Sequence, residues 1–363
     1  MDELISIADR FTCDGEIREI REFGQGNINR TYLVTLDSAN QPHFILQRIN
    51  TQVFRQPELV MQNMCIVTEH IDAKLQNACL DRVWKVPHVI RTSEGKDYWE
   101  DENSGCWRAI AFIEGAQTFD TIQDSHHGRE IGYALGMFHH LMGDLPPDRL
   151  ADTLPGFHVT PGYLAQYQQV LEDTQVTKSA EVAYGLKFVS DRASFCSILE
   201  DAKTQGKLQL RLMHGDPKIN NVLIDNETKQ AISAIDLDTV KPGLVHYDIG
   251  DCLRSGCNVL GEETEDLDGV RFEVDLCQDI LQGYLSVARS FLTSSDYEYI
   301  YDAIRLITFE LGLRFFTDYL AGNVYFKIKY PEHNLARALV QFKLTESIEA
   351  QEADIKHKIE SFR

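Results

Sequence analysis

One short run concentrates reactive side chains: His214-Gly215-Asp216-Pro217-Lys218-Ile219-Asn220-Asn221, followed by the apolar Val222-Leu223-Ile224. Asp216 supplies a carboxylate that can accept a proton from an incoming hydroxyl. Lys218, two residues on, can neutralise charge building on a transferring phosphoryl group. Asn221, five residues after Asp216, offers an amide oxygen to a divalent metal. A second apolar run, 232–235, ends in Asp236, the hard oxygen ligand that Mg²⁺ prefers, and Asp238 follows either as a second ligand or as a solvated neighbour.

These groups need elements to hold them. Runs 208–213, 221–225 and 231–235 read as short strands, with Asp225-Asn226 as a turn, so the reactive loop lies between two strands. Near the N-terminus, Gly24 and Gly26 precede an alternating run, 30–36, and can let backbone N–H groups approach phosphates. A polar turn separates that run from 43–49, which predicts a hairpin. Pro57 opens a helix whose Leu59, Asn63, Val67 and Ile71 repeat every four residues. Two further strands are expected over 84–90 and 106–113. Glu114-Gly115 then breaks the pattern, and Ile131, Leu135 and Phe138 begin a helical stripe ending near Gly143. The expectation is an α+β chain of two lobes. Residues 1–113 form a small β-rich lobe, and residues 114–363 form a larger, mainly helical lobe with the reactive loop and the acceptor site.

The 35 Lys and Arg against 56 Asp and Glu give a net charge of −21. Such a balance argues against a general nucleic-acid binder and against an anionic membrane face, while a divalent cation suits an acidic cleft. The opening MDELISIADRF lacks a basic start followed by an apolar core, and no apolar run approaches membrane-spanning length. The eight cysteines show no metal-knuckle spacing. Reduced thiols in a cytoplasmic protein are expected.

The H-x-D-x-x-x-x-N spacing followed by a metal-site aspartate resembles the catalytic and metal-binding loops of protein-kinase-like phosphotransferases. The phrases GQGNINRTYLV, FILQRIN, WRAIAFIEG, AIDLDTVKPG and YDIGDCLR narrow the likeness to the aminoglycoside phosphotransferase and choline kinase group. The long LRFFTDYLAGNVYFKIKYPEHNLAR looks most like the N-acetylhexosamine 1-kinases. The resemblance runs from about residue 20 to 340. It implies a protein-kinase-like fold that uses ATP and Mg²⁺ to phosphorylate the anomeric hydroxyl of N-acetylglucosamine or N-acetylgalactosamine. By position, Asp216 would be the base, Lys218 a phosphate contact, Asn221 and Asp236 metal ligands, and Gly24 and Gly26 a loop over the nucleotide. Arg314 and Tyr325 would line the sugar pocket, and Glu114, at the hinge, would face the adenine.

Three departures from the pattern matter. Where a protein kinase has a strand lysine, this chain has Gln47, with Arg48 next; alternation sends them to opposite faces, and Gln47 is expected to face the nucleotide. Cys65 stands where a helix glutamate often pairs with that lysine. Asn27 replaces a histidine near the sugar. Two other readings therefore compete: an aminoglycoside, choline or other small-hydroxyl phosphotransferase on the same fold, and a silent nucleotide or sugar sensor. Elsewhere Asp248 is expected to brace the reactive loop, His214 to shape it by hydrogen bonding, and the run 262–266 to be a solvated acidic loop. The pairs His126-His127 and His139-His140 read as a solvated helix start and a partly buried helix end. Arg314 and Asp318 share a helix face, open to an intrahelical ion pair.

Overall fold

The computed structural model describes residues 2–11, 15–24, 28–39, 41–77, 80–102, 104–173 and 179–363. Gly26 and Asn27 lie outside the described residues.

A short helix α1 (Asp2–Ala8) precedes three antiparallel strands, β1 (Ile17–Glu22), β2 (Arg30–Leu36) and β3 (His43–Arg48). Period-two alternation does the folding here. Val34 and Leu36 of β2 and Phe44 and Leu46 of β3 are buried with Ile7 and Phe11 on one face of the sheet. Next come α2 (Pro57–Leu75), the two-residue β4 (Val89–Ile90) and β5 (Trp99–Glu100), and β6 (Cys106–Ala111). The order is β1-β2-β3-β6-β4, with β5 also on β6. Strand β6 is central, so nearly every residue of CWRAIA is buried, its arginine included.

The expected strand over 84–90 shrinks to Val89–Ile90 because Pro87 removes a ladder donor, and Lys85 N bonds instead to Ile232 O at 2.7 Å. Strand β1 was not expected. Its IREIRE buries only Ile20, as an edge strand with one wet face allows.

After β7 (Ala116–Gln117) come α3 (Ser125–Met142), α4 (Thr160–Asp173), α5 (Ala180–Arg192) and α6 (Ile198–Thr204). Four short strands follow: β8 (Arg211–Met213), β9 (Val222–Asp225), β10 (Ala231–Ala234) and β11 (Lys241–Gly243). They pair as β10-β9-β7 and β11-β8. The chain closes with α7 (Val245–Gly256), α8 (Val274–Ala288), α9 (Ser294–Glu298), α10 (Ile300–Leu320), α11 (His333–Ala350) and α12 (Glu352–Glu360). This is the expected α+β architecture, a small antiparallel sheet ahead of a larger helical part. Asn63 of α2 ties the two together: its amide donates to Ala151 O and Val240 O, and its Oδ1 accepts from Ala151 N. Among the described residues no helix is long and apolar enough to cross a membrane, and the described cysteines are free.

Helices α3 and α8 approach at paired glycines. A Cβ on Gly132 would sit 1.9 Å from Ile280 O, and one on Gly283 would sit 1.9 Å from Arg129 O. Only hydrogen fits at that crossing.

The run 262–266 is an acidic loop with Glu263, Glu265 and Asp266 exposed, as expected, but two of its acids are also paired. Glu262 accepts from Arg254 Nη1 of α7 at 2.9 Å, and Glu263 pairs closely with Lys329 and with Arg337 of α11. Burial works to raise the Glu263 carboxyl, but the hydrogen bonds from Lys329 and Arg337 win and hold it down at about 2. The acids clamp α7 to the segment before α11. The partners of Glu263 are more than sixty residues away in sequence, beyond the reach of local pattern.

Two tests follow from this packing. Gly132→Ala gains about 1 kcal/mol of helix propensity but must push two backbones apart, so a net loss of roughly 2 kcal/mol is expected by thermal or denaturant melting. For Glu263, whose carboxyl is lowered in the folded state, the stabilisation is full above about pH 4.5 and lost as pH falls toward 2. Glu263→Gln is therefore expected to lower Tm by roughly 1–2 °C at pH 7, discounted for its exposure, with the gap to wild type narrowing below pH 4.

Candidate active site

The reactive loop leaves β8 at Met213 and re-enters β9 through a 3₁₀ turn at Ile219–Asn221. Its shape is imposed from below. Asp248, in the first turn of α7, is fully buried and accepts from His214 N at 2.6 Å, from Gly215 N at 2.8 Å and from His139 Nε2 at 2.8 Å. Burial opposes charge on Asp248, yet the His139 bond and the backbone N–H groups hold its pKa below the usual carboxylate value. His139 is thus a buried brace, not merely a half-buried helix end. Gly215 takes a φ of +86°, and a Cβ there would meet Thr239 O at 2.7 Å. His214 Nε2 bonds to Ile235 O at 3.0 Å, and Thr239 Oγ1 donates to His214 O at 2.7 Å, so the loop is stitched to the strand end that carries Asp236.

Within this frame Asp216 Oδ2 lies 2.8 Å from Lys218 Nζ. Asn221 Nδ2 donates to Asp216 O at 2.7 Å and to Oδ2 at 3.2 Å, which leaves Asn221 Oδ1 without a hydrogen bond among the described residues. Burial works to raise the Asp216 carboxyl, but Lys218 outweighs it, and the net shift is downward. Lys218 is shifted upward in return, chiefly by Asp216. Asp216 is therefore an ionised acceptor, as a base must be.

Asp236 adopts the left-handed conformation, φ 64° and ψ 59°, an uncommon state for a non-glycine residue. Among the described residues its side chain takes no hydrogen bond, and burial, then Asp238 and Asp216, push its carboxyl up to about 7. A carboxylate with no ion pair among the described residues, lining the same cleft as Asn221, suits a hard divalent ion. No set of three or more His, Cys, Asp or Glu is placed to hold a metal among the described residues. Asn221 and Asp236 would supply two oxygens and leave the rest of the shell to ligand and water, a usual Mg²⁺ arrangement.

Asp238 is not the solvated neighbour that one of the two readings expects. It is 3% exposed; its Oδ1 lies 2.5 Å from Arg108 Nη1, and its Oδ2 accepts from Asn29 Nδ2 at 2.7 Å.

A cleft of about 590 Å³ lies above these groups. Gly24, Thr31, Gln47, Arg108 and Phe112 line its sheet side, and Lys218, Asn221, Leu223 and Asp236 line the opposite side. Gln47 faces this cleft, as alternation required, whereas Arg48 lies over the Trp107 ring at 5.9 Å. Glu114 does not face the cleft: its Oε1 is 2.7 Å from His43 Nδ1, and its carbonyl accepts from Lys85 Nζ. Ile113 and Ala116 line the cleft in its stead. The Cys65 thiol, pushed up to about 12 by burial and Asp97, is inert.

A second cavity, about 640 Å³, holds Arg314 and Tyr325 together. The Arg314 guanidinium lies over Tyr163 at 4.9 Å, Phe157 at 5.3 Å and Phe326 at 5.6 Å. The Arg314–Asp318 ion pair does not form. Asp318 accepts instead from the N–H groups of Val324, Tyr325 and Phe326 and from Asn334 Nδ2, folding the segment beyond α10 onto the cavity. Among the described residues Arg314 has no carboxylate partner and no side-chain hydrogen bond. Gln52, Arg55 and Gln56, between β3 and α2, close the cavity from the small-lobe side.

The sequence reading missed Arg108, Asn29 and His158, whose Nε2 reaches Gly215 O at 3.0 Å and whose Nδ1 reaches Glu310 at 2.9 Å. Arg108 had a usable signal, a lone charge inside the apolar strand CWRAIA. His158 and Asn29 had none, because their partners come from distant elements.

Solved structures share this architecture. An aminoglycoside phosphotransferase from Alicyclobacillus acidocaldarius superposes with a TM-score of 0.65 at 16% identity, over 98% of this chain and 96% of that one. A choline kinase from Cryptosporidium parvum gives 0.62 at 15%, over 99% and 97%. A spectinomycin phosphotransferase in complex with ADP and spectinomycin gives 0.57 at 14%, over 98% of both chains. At such identities the likeness is one of fold, a kinase-like one. Residues 19–280 match the profile described as the phosphotransferase enzyme family (APH), a stretch that contains every residue of the cleft and stops short of Arg314 and Tyr325. On that match, the chain belongs to the phosphotransferase enzyme family.

Proposed function

We propose that this protein is an ATP- and Mg²⁺-dependent kinase that phosphorylates the anomeric hydroxyl of an N-acetylhexosamine, N-acetylglucosamine or N-acetylgalactosamine. The single observation that carries the acceptor assignment is Arg314, a cation that forms no ion pair or side-chain hydrogen bond among the described residues, set among three aromatic rings in the second cavity. A guanidinium offers donors to a carbonyl or to hydroxyls, and the Tyr325 ring offers a flat face to a sugar. The same cation disfavours a charged amine, since like charges in a partly desolvated site repel. That is the argument against the aminoglycoside or choline alternative, despite the acidic composition that would suit it.

In this reading residues 1–113 cover the nucleotide, and residues 114–363 hold the catalytic loop and the acceptor. Nucleotide binding is supported by the cleft and by kinase-like structures solved with ADP or GDP. Asn221 and Asp236 would hold Mg²⁺, which when bound draws off charge from the phosphate oxygens. Asp216 accepts the proton of the acceptor hydroxyl at its carboxylate, with Lys218 and Asn221 fixing that carboxylate's direction. Lys218 keeps its positive charge beside the transferring group. Most of the acceleration then comes from positioning and from fixed charge. A silent sensor is disfavoured, because Asp216, Asn221 and Asp236 are all present and face one region.

The test is ADP release with N-acetylglucosamine and N-acetylgalactosamine against a panel of aminoglycosides, choline and unmodified sugars. The acetamido sugars are expected to lead in kcat/KM, and dominance by an amine acceptor would overturn the assignment. Asp216→Asn is expected to lower kcat by about 10²–10⁴-fold with acceptor KM little changed. Arg314→Met is expected to raise acceptor KM by roughly 10–100-fold while nucleotide KM moves by less than about threefold, because the lost contacts lie in the acceptor cavity.

A further inference from the structure

The cleft lacks a lysine on β3, and the structure shows what stands there. Gln47 has both polar ends engaged: Nε2 donates to Thr31 Oγ1 at 3.0 Å, and Oε1 accepts from Arg108 Nε at 3.0 Å and Nη2 at 2.8 Å. Arg108 is directly opposite Gln47 in the β3–β6 register, so both side chains leave the same face of the sheet. The guanidinium is 1% exposed, lies within 3.9 Å of Met61 Sδ and 3.7 Å of Met64 Sδ, and reaches Asp238 with Nη1. Asp238 stands two residues after Asp236, and its other oxygen is held by Asn29, at the end of the glycine loop.

Charge makes this arrangement consequential. Asp238 stands two residues from Asp236, and the loop carrying Asp216 is stitched to the same strand end through His214 and Thr239. A free Asp238 would add repulsion or compete for the cation that Asp236 and Asn221 suit. Arg108 neutralises Asp238 through a close ion pair to one oxygen, while Asn29 holds the other. Because Arg108 is anchored on Gln47, it also fixes the strand end that bears Asp236 relative to the small sheet. Gln47 is uncharged for a reason: its amide oxygen seats a guanidinium, which a lysine there would repel.

We propose that Arg108 is a positioning residue for phosphoryl transfer, joining the small lobe to the metal site by holding Asp238 off the cation and so setting Asp236. The role rests on the phosphotransferase reading above, and Arg108 acts through Asp238 rather than by touching the phosphates.

The experiment is a double-mutant cycle of Arg108→Met, Asp238→Asn and the pair together, read in two ways on the full-length protein. One is kcat for ADP release as a function of Mg²⁺. The other is Mn²⁺ binding in the presence of ADP, followed by electron paramagnetic resonance, with ADP binding in EDTA by calorimetry as its control. Arg108→Met is expected to lower kcat about 100-fold and weaken Mn²⁺ about 10-fold, as loss of a group that orients a metal ligand does. Asp238→Asn is expected to lower kcat about 10-fold, and the double variant is expected to resemble Asp238→Asn, because the stranded carboxylate is gone. ADP binding in EDTA should stay within about threefold throughout.

Losses that multiply in the double variant, or a tenfold weaker affinity for ADP in EDTA in Arg108→Met, would overturn the proposal in favour of direct phosphate contact. Unchanged Mn²⁺ binding in a variant with a lowered Tm would reduce Arg108 to packing. Should Arg108→Met fail to fold, Arg108→Lys, which keeps the charge but loses the two-pronged seat on Gln47, must show the weaker Mn²⁺ binding. If wild type turned over no acceptor at all, the phosphotransferase reading would fall, while the Mn²⁺ measurements would still decide whether Arg108 governs the metal site.

Discussion

The buried carboxylate of Asp248 is the constraint on which the site depends. It has no exposed surface, and its two oxygens receive the backbone N–H groups of His214 and Gly215 and the imidazole of His139. His139 in turn meets the Tyr284 hydroxyl of α8 at 3.1 Å, so α3, α7 and α8 converge beneath one loop. An uncompensated charge in such a place would cost several kcal/mol, and the bonds that compensate it are the same bonds that bend the loop. Stability of the helical part and geometry of the Asp216 loop are therefore one property. The paired glycines of α3 and α8 belong to the same argument, since they bring His139 and Tyr284 close enough to share that load.

Upward from this floor, the charges are distributed by pairing rather than by exposure. Asp216 has Lys218 and Asp238 has Arg108, and Asp236 alone goes without a cation. The two cavities are also joined. Asn29 bonds to Asp238 with its amide and to Asn50 N with its oxygen, and the chain after Asn50 supplies Gln52, Arg55 and Gln56 to the second cavity. A run of hydrogen bonds thus leads from the Asp236–Asp238 segment to the wall of the second cavity.

How much of this could be read beforehand depends on the distance over which each feature is encoded. Asp216, Lys218 and Asn221 sit within six residues, so their spacing alone brought them together, and Asp236 followed from a strand ending in an acid. The β2–β3 hairpin and α3 were legible because a single face is buried at a regular period. The pairing of Glu263 was not legible because its basic partners, Lys329 and Arg337, lie far along the chain. The alternative of an Arg314–Asp318 ion pair gave way for a similar reason. Helical spacing offered Asp318, but three unpaired N–H groups just past the helix end made a stronger claim on that carboxylate. Glu114 pairs with His43 of β3, 71 residues back in the chain, which no local pattern announces.

The amide at position 47 also changes how the cleft reacts with covalent reagents. Among the described residues that line it, Lys218 is the only lysine, and that amine is ion-paired and shifted toward its protonated, non-nucleophilic form. Acylating nucleotide analogues that capture a strand amine in other kinase-like clefts would meet a carboxamide and a guanidinium on this wall, neither of which is a nucleophile at neutral pH. The sheet side of this cleft is chemically quiet, and any such tag that the protein acquires must come from the floor.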